Sequence, residues 1–315
     1  MLPPATDRPF WGRRLSKRLK LSFTLSLSLT LGLLPACGSR PARPGPEAGP
    51  RPATAATGAR LEVVVSAYPL AVLVNYVGGK AVKVVDLARP GVAPQDLSLR
   101  PDQVDLVRSA PLVVDVGDGY QPQVEAAAGS ARRHLSLLPA VSATAPPYGF
   151  WLDPALMGKA AALVAGALSA ADAGRKAQFQ NGSLDFQSVV GSIESDLEST
   201  FSDCTRHIFV TSDDALGRFA ARYDLTDVAV SVTGVEKAAA LVRKNSLPDV
   251  FSEVGVASPA VQKVAQVAGV GVKSLDPMEV APSLHGPAPL SYFAVMEEDL
   301  TALEDPLACD TSNSY

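Results

Sequence analysis

The sequence predicts an α/β protein made of two parallel-sheet lobes with a helical block between them. Three observations carry this. Short β-rich runs alternate with helical stretches from residue 61 to residue 138. No strand signal interrupts residues 154–201. The alternation then resumes and continues to residue 303. Alternating β and α elements favour a parallel sheet covered by helices on both faces.

In order, residues 61–66 (LEVVVS) read as a strand and residues 69–77 as a helix opened by Pro69. Residues 82–87 are a strand, 101–108 a helix and 112–116 a third strand. Residues 121–128 read as a helix and 134–138 as a short strand. Asp153-Pro154 opens the helical block, with Asp153 as N-cap and Pro154 in the first turn, and this helix runs to about residue 171. Asn181-Gly182 reads as a break, after which Phe186, Val189, Ile193, Leu197 and Phe201 recur on one helical face. Strands are expected at 207–212, 228–232, 250–254 and 272–275, with helices at 215–223, 236–244, 259–268 and 292–303. In open α/β sheets ligands sit beyond the carboxyl ends of the strands, so two lobes place the ligand in the cleft between them.

The amino terminus points to export. Arg13, Arg14, Lys17, Arg18 and Lys20 precede a short apolar run over residues 21–34, which ends in Leu34-Pro35-Ala36-Cys37. A charged region, an apolar region and a small residue before a cleavage point describe a signal peptide. Cysteine directly after that point resembles the lipobox of bacterial lipoproteins, in which the thiol is acylated and holds the new amino terminus to the membrane. Pro35 departs from that pattern. The plainer alternatives are a secretory signal with an incidental cysteine, or a membrane helix, although the run is short and rich in serine and threonine.

The expected organisation is therefore a signal peptide at 1–36, a flexible tether at 37–60, an N-terminal α/β lobe at 61–153 and a helical connector at 154–203. A C-terminal α/β lobe at 204–309 and a tail at 310–315 complete it. Pro, Ala and Gly dominate residues 40–60, which show no apolar period. The whole chain carries a formal charge of −4, and losing the basic signal leaves the mature part more acidic still. Such a balance gives no footprint for nucleic acid, whose binding relies on neutralising phosphates. Cys204 and Cys309 are the cysteines left after Cys37, and an even pair in an oxidising compartment favours a disulfide over two buried thiols.

Six stretches, in order, resemble one family, the solute-binding lipoproteins of zinc and manganese ABC importers. They are Ser66-Ala67-Tyr68-Pro69-Leu70; Gly91-Val92-Ala93-Pro94-Gln95 with Pro101; Trp151-Leu152-Asp153-Pro154; Phe209-Val210-Thr211-Ser212-Asp213-Asp214-Ala215-Leu216-Gly217 with Ala221-Arg222-Tyr223; Phe251-Ser252-Glu253; and Leu275-Asp276-Pro277. The resemblance implies two lobes joined by one rigid backbone helix, for which the Phe186 to Phe201 face is the candidate. It also implies an ABC permease and its ATPase as partners, a monomeric lipid-anchored protein outside the cytoplasm, and a divalent metal, Mn or Zn, as cargo.

In that family three histidines and a carboxylate converge on the metal, the third histidine being a carboxylate in some manganese binders. Carried onto this chain the positions fall on Gln95, Gly149, Asp213 and Asp276. His134, His207 and His285 all lie elsewhere. Gln95, Asp213 and Asp276 offer hard oxygen donors, which suit Mn²⁺, Mg²⁺ or Ca²⁺ better than Zn²⁺. Each has a second reading: Gln95 as a polar loop residue filling the volume of a lost imidazole, Asp213 as the N-cap of the next helix, and Asp276 as a turn residue before Pro277. Asp214 is a spare carboxylate, and Tyr148 and Trp151 flank Gly149 as an apolar floor. Two further functions stay open: an accessory lipoprotein on the same scaffold that has lost the metal, and a binder of a metal chelate or small organic ligand. An enzyme is not expected, since no nucleophile elbow, phosphate loop or dinucleotide fingerprint is present.

Overall fold

In β1 (Leu61–Val65) alternate valines face two different cores. Val63 and Val65 pack toward the helical connector, while Val64 joins Leu87, Val107, Val113 and Val124 on the opposite face. Burial on both faces is what a continuous β-branched run produces in a parallel sheet. The computed structural model describes residues 58–90, 92–141, 149–279 and 291–310, all within one compact unit. The signal region, Cys37, the tether up to residue 57, Gly91, Tyr148, His285 and residues 311–315 lie outside the described residues.

After β1 come α1 (Tyr68–Gly78), β2 (Val82–Asp86), α2 (Pro101–Ser109), β3 (Leu112–Asp115), α3 (Pro122–Ala128), β4 (His134–Ser136) and the single turn α4 (Leu138–Val141). The strands form one parallel sheet in the order β2-β1-β3-β4. Then follow α5 (Pro154–Ala171) and α6 (Lys176–Ser202). The second half holds β5 (Ile208–Thr211), α7 (Gly217–Arg222), β6 (Thr226–Ala229), α8 (Val230–Thr233), α9 (Val235–Lys244), β7 (Asp249–Glu253), α10 (Pro259–Ala268), β8 (Gly271–Leu275) and α11 (Tyr292–Leu307). Its strands pair in parallel as β5-β6 and β7-β8. Ser212 Oγ, just past β5, donates to Glu253 Oε1 at the end of β7 at 2.5 Å.

The long helix differs from expectation in a telling way. It runs unbroken through Asn181-Gly182, and the break falls instead at the short turn Ala173–Arg175. A Cβ at Gly182 would lie 2.5 Å from the carbonyl oxygen of Val77, so this glycine lets α1 and α6 approach closely rather than ending a helix. The buried face also shifts by one residue: Val190 is buried whereas Val189 is exposed. Along that face Phe179, Phe186, Val190, Ile193, Leu197 and Phe201 belong to one core that also contains Val63 and Val65 of the first sheet and Phe209 and Phe251 of the second half. A two-lobed protein sharing one core opens less readily than one with a core in each lobe, because separating the lobes would expose that apolar surface. Tyr76 of α1 meets both Phe186 of α6 and Phe293 of α11 edge to face across the join, and the two phenylalanines are tilted against each other, with all centroids 5.2–5.3 Å apart.

Asp153 caps α5 as its sequence suggests, accepting from Leu156 N at 3.1 Å with Pro154 at the first turn. Two later elements depart. The expected helix at 215–223 shortens to Gly217–Arg222, since residues 213–216 form a turn closed by Gly217 N donating to Asp214 O. The expected strand at 228–232 ends at Ala229. Ser231 N turns back to Ser212 O, and Val232, 81% exposed, has no sheet to enter. Cys204 and Cys309 form the expected disulfide.

Candidate metal centre

One wall of the site is built from loops that follow β1, β2 and β3. The turn Pro94–Asp96 carries Gln95. Gln121, only 1% exposed, donates from Nε2 to Ser66 O at 2.8 Å and to Pro94 O at 2.9 Å, pinning that turn to the end of β1. Tyr120 Oη then donates to Gln95 Oε1 at 2.9 Å, which fixes the amide. Gly117, Asp118 and Gly119 all have positive φ, and Glu125 of α3 accepts from Gly119 N and Gln121 N, both at 3.1 Å. These left-handed residues thus aim Gly119 and Tyr120 at the site.

The opposite wall starts where β5 ends. Asp213 Oδ1 accepts from Ala215 N at 3.0 Å, an Asx turn rather than a helix cap, since α7 begins only at Gly217. Thr211 Oγ1 donates to Asp213 O at 2.7 Å and pairs with Asp227 Oδ1. Gly149 meets this turn: it has φ +73°, and a Cβ there would lie 3.2 Å from Ala215 O. The family's second histidine position is therefore a point of backbone contact between the walls, and no side chain projects from it.

Gln95, Gly119, Tyr120, Gly149, Asp213, Asp214, Ala215, Arg218 and Glu279 enclose one cavity of about 530 Å³. Three of the four positions that the resemblance assigns, Gln95, Gly149 and Asp213, thus line the same cavity. Asp276 is not among the lining residues. Its Oδ1 accepts from Met278 N at 2.8 Å and its own N–H donates to Asp299 Oδ1 at 2.9 Å, so it shapes the turn that carries Glu279 to the cavity. Trp151, expected as a floor, is fully buried and donates from Nε1 to Pro277 O at 2.8 Å. Its ring lies 6.3 Å from that of Tyr120. His134 pairs with Asp115 Oδ2 at 2.7 Å, and His207 is exposed just before β5.

Sequence reasoning passed over Glu279, Tyr120 and Arg218. Glu279 lies three residues beyond Asp276, and Arg218 directly follows the Gly217 of a quoted motif; both signals were available. The described residues contain no group of three or more His, Cys, Asp or Glu side chains arranged to hold a metal ion. The acids are nonetheless strongly perturbed. Burial, then the Asp213 and Asp214 charges, push Glu279 up to about 7. Glu253 behind Asp213 rises to about 8, chiefly by burial and further by the neighbouring Asp213 carboxyl. Burial lifts Asp227 to about 7. Burial lowers the Arg218 guanidinium, with Asp153 acting in the other direction.

The three carboxyl shifts have one sign. The native state holds protons that the unfolded chain releases near pH 4, so the stability they contribute is complete below that pH and is lost as pH rises through 7 to 8. The metal-free protein should therefore melt lower at pH 8 than at pH 5.5. Asp227→Asn, which keeps an acceptor for Thr211 but cannot ionise, should flatten that slope in a series of melting curves.

Two α/β lobes on a shared core, with carboxylates at the strand ends around a cavity, define the class of extracytoplasmic solute-binding proteins. Residues 63–305 match the family model ZnuA, "Zinc-uptake complex component A periplasmic", and the chain belongs to that family. Membership makes it a substrate-binding component of metal uptake rather than a member of an enzyme class. No curated protein matches it by sequence. Among solved structures it is similar to the Zn(II)-bound ZnuA-like domain of Streptococcus pneumoniae AdcA, at 20% identity and TM-score 0.70 over 79% of this chain and 99% of that one. It is similar also to the laminin-binding protein Lmb of Streptococcus agalactiae, at 20% and 0.71 over 79% and 100%. The metal-dependent lipoprotein YcdH of Bacillus subtilis gives 19% and 0.71 over 79% and 100%. At these identities the likeness speaks for the fold.

Proposed function

We propose that this chain is the lipid-anchored binding protein of a divalent-metal ABC importer, held to the membrane through Cys37. It works as a monomer on the outer face of a cytoplasmic membrane or in a periplasm. It captures the ion between its lobes and passes it to a permease driven by an ATPase. The reading is supported by Gln95 and Asp213, remote in sequence and both at ligand positions of the resemblance, lining one cavity. Asp213 and Glu279 are the charged donors in this reading, Gln95 contributes a neutral one, and Asp276 orients the turn that bears Glu279. Without imidazole or thiolate, such a set favours Mn²⁺ over Zn²⁺. Binding, not catalysis, is the activity.

Isothermal titration of the metal-stripped protein tests this. Heat of binding with Mn²⁺ at micromolar or better affinity, stronger than with Zn²⁺, is the expected result. The absence of heat with both ions would remove the reading of a carrier for the bare ion.

A further inference from the structure

The cavity is large for a bare ion. A cation with six waters occupies about 180 Å³ at the liquid volume of water, against the cavity's volume of about 530 Å³. That volume falls instead in the range of small-molecule sites, roughly 300–1,000 Å³. Part of the space exists because Gly119 lines the cavity with backbone alone, and a Cβ built there would meet no atom within 4 Å.

The lining is also mixed in charge. Asp213, Asp214 and Glu279 share the walls with the Arg218 guanidinium, the Gln95 amide and the Tyr120 hydroxyl. A guanidinium repels a bare cation, yet it suits a carboxylate and has five donors to distribute between the protein and a ligand. The described residues meanwhile lack a convergent set of three ligating side chains. A metal arriving with its own ligands needs fewer from the protein.

We propose that the cargo enters as a complex of a divalent cation with a small polycarboxylate, the acids Asp213 and Glu279 completing the metal's shell while Arg218 and Gln95 hold the organic carboxylates. This rests on the reading of the chain as a divalent-metal carrier. No bond beyond coordination forms or breaks, and the complex is taken up whole.

The test titrates metal-free protein with MnCl₂, with sodium citrate, and with the one-to-one manganese–citrate complex, followed by native mass spectrometry. The complex should bind at least tenfold tighter than MnCl₂, with a mass gain equal to metal plus citrate. Arg218→Gln should bring that ratio close to one; should this buried arginine prove essential for folding, the wild-type masses decide alone. If citrate strips manganese from the protein, so that only the bare ion is ever bound, the chelate proposal is overturned while the metal-carrier reading survives. Citrate binding as tightly without manganese as with it would overturn the proposal in favour of an organic anion. Binding of none of the three would overturn both readings together.

Discussion

Replacing Asp213 by asparagine should weaken Mn²⁺ binding by on the order of 100-fold, about 2.8 kcal/mol at 1.4 kcal/mol per decade, with the fold intact. Asparagine keeps the side-chain oxygen that accepts from Ala215 N, so the Asx turn survives and only the charge is lost. Asp213→Ala removes both and should be worse in affinity and in stability, since a lost hydrogen bond of this kind costs about 1 kcal/mol. The comparison separates the ligand role from the turn role, which the structure puts in place of the helix N-cap that the sequence suggested. A second consequence follows from crowding. Asp213 raises both Glu253 and Glu279. Without its charge the metal-free Asp213→Asn protein should melt at the same temperature as wild type or higher at pH 8, even as it loses the ion. A variant that lost both affinity and stability equally at every pH would place Asp213 in the scaffold alone.

The second large effect belongs to the disulfide. Cys204 follows the end of α6 and Cys309 follows α11, a sequence separation of 105. The backbone runs alongside as Arg206 N donates to Leu307 O at 2.9 Å. Closing a loop of that length restricts the unfolded chain by about 4–5 kcal/mol in the chain-entropy model. The Cys204→Ala, Cys309→Ala double variant should melt roughly 8–20 °C lower, at about 2–4 °C per kcal/mol for a protein of this size. Its Mn²⁺ affinity should stay within twofold of wild type. The bridge lies before β5, whereas Asp213 lies after it, so a strand about 13 Å long at 3.3 Å per residue runs between them. Loss of affinity along with stability would show that the carboxyl-terminal strap holds the cavity in shape.

The alternating elements were legible because burial on one or two faces leaves a periodic record in the sequence, as in Val63, Val64 and Val65. Helix boundaries at Asp153-Pro154 and at Pro259 were legible because capping chemistry is local. Gly182 misled for a definite reason. Its role is a contact with Val77 of a remote helix, and one sequence records the glycine without recording what it touches. The β-branched run at 228–232 misled likewise, as strand propensity continues past Ala229 while the sheet does not. In the site, Gln95 and Asp213 could be placed through motif spacing. Arg218 and Glu279 stood beside motif residues, at one and three positions past Gly217 and Asp276, but only the folded loops show that both line the cavity.

A divalent cation held in the cavity lined by Gln95, Asp213 and Glu279 should be directly visible. A crystal grown with manganese, measured at the manganese absorption edge, tests it most directly. The account predicts one strong anomalous peak within coordinating distance of the Asp213 carboxylate, and its disappearance in Asp213→Asn. A cavity without a peak, or a peak that stays in the Asp213→Asn crystal, would contradict it.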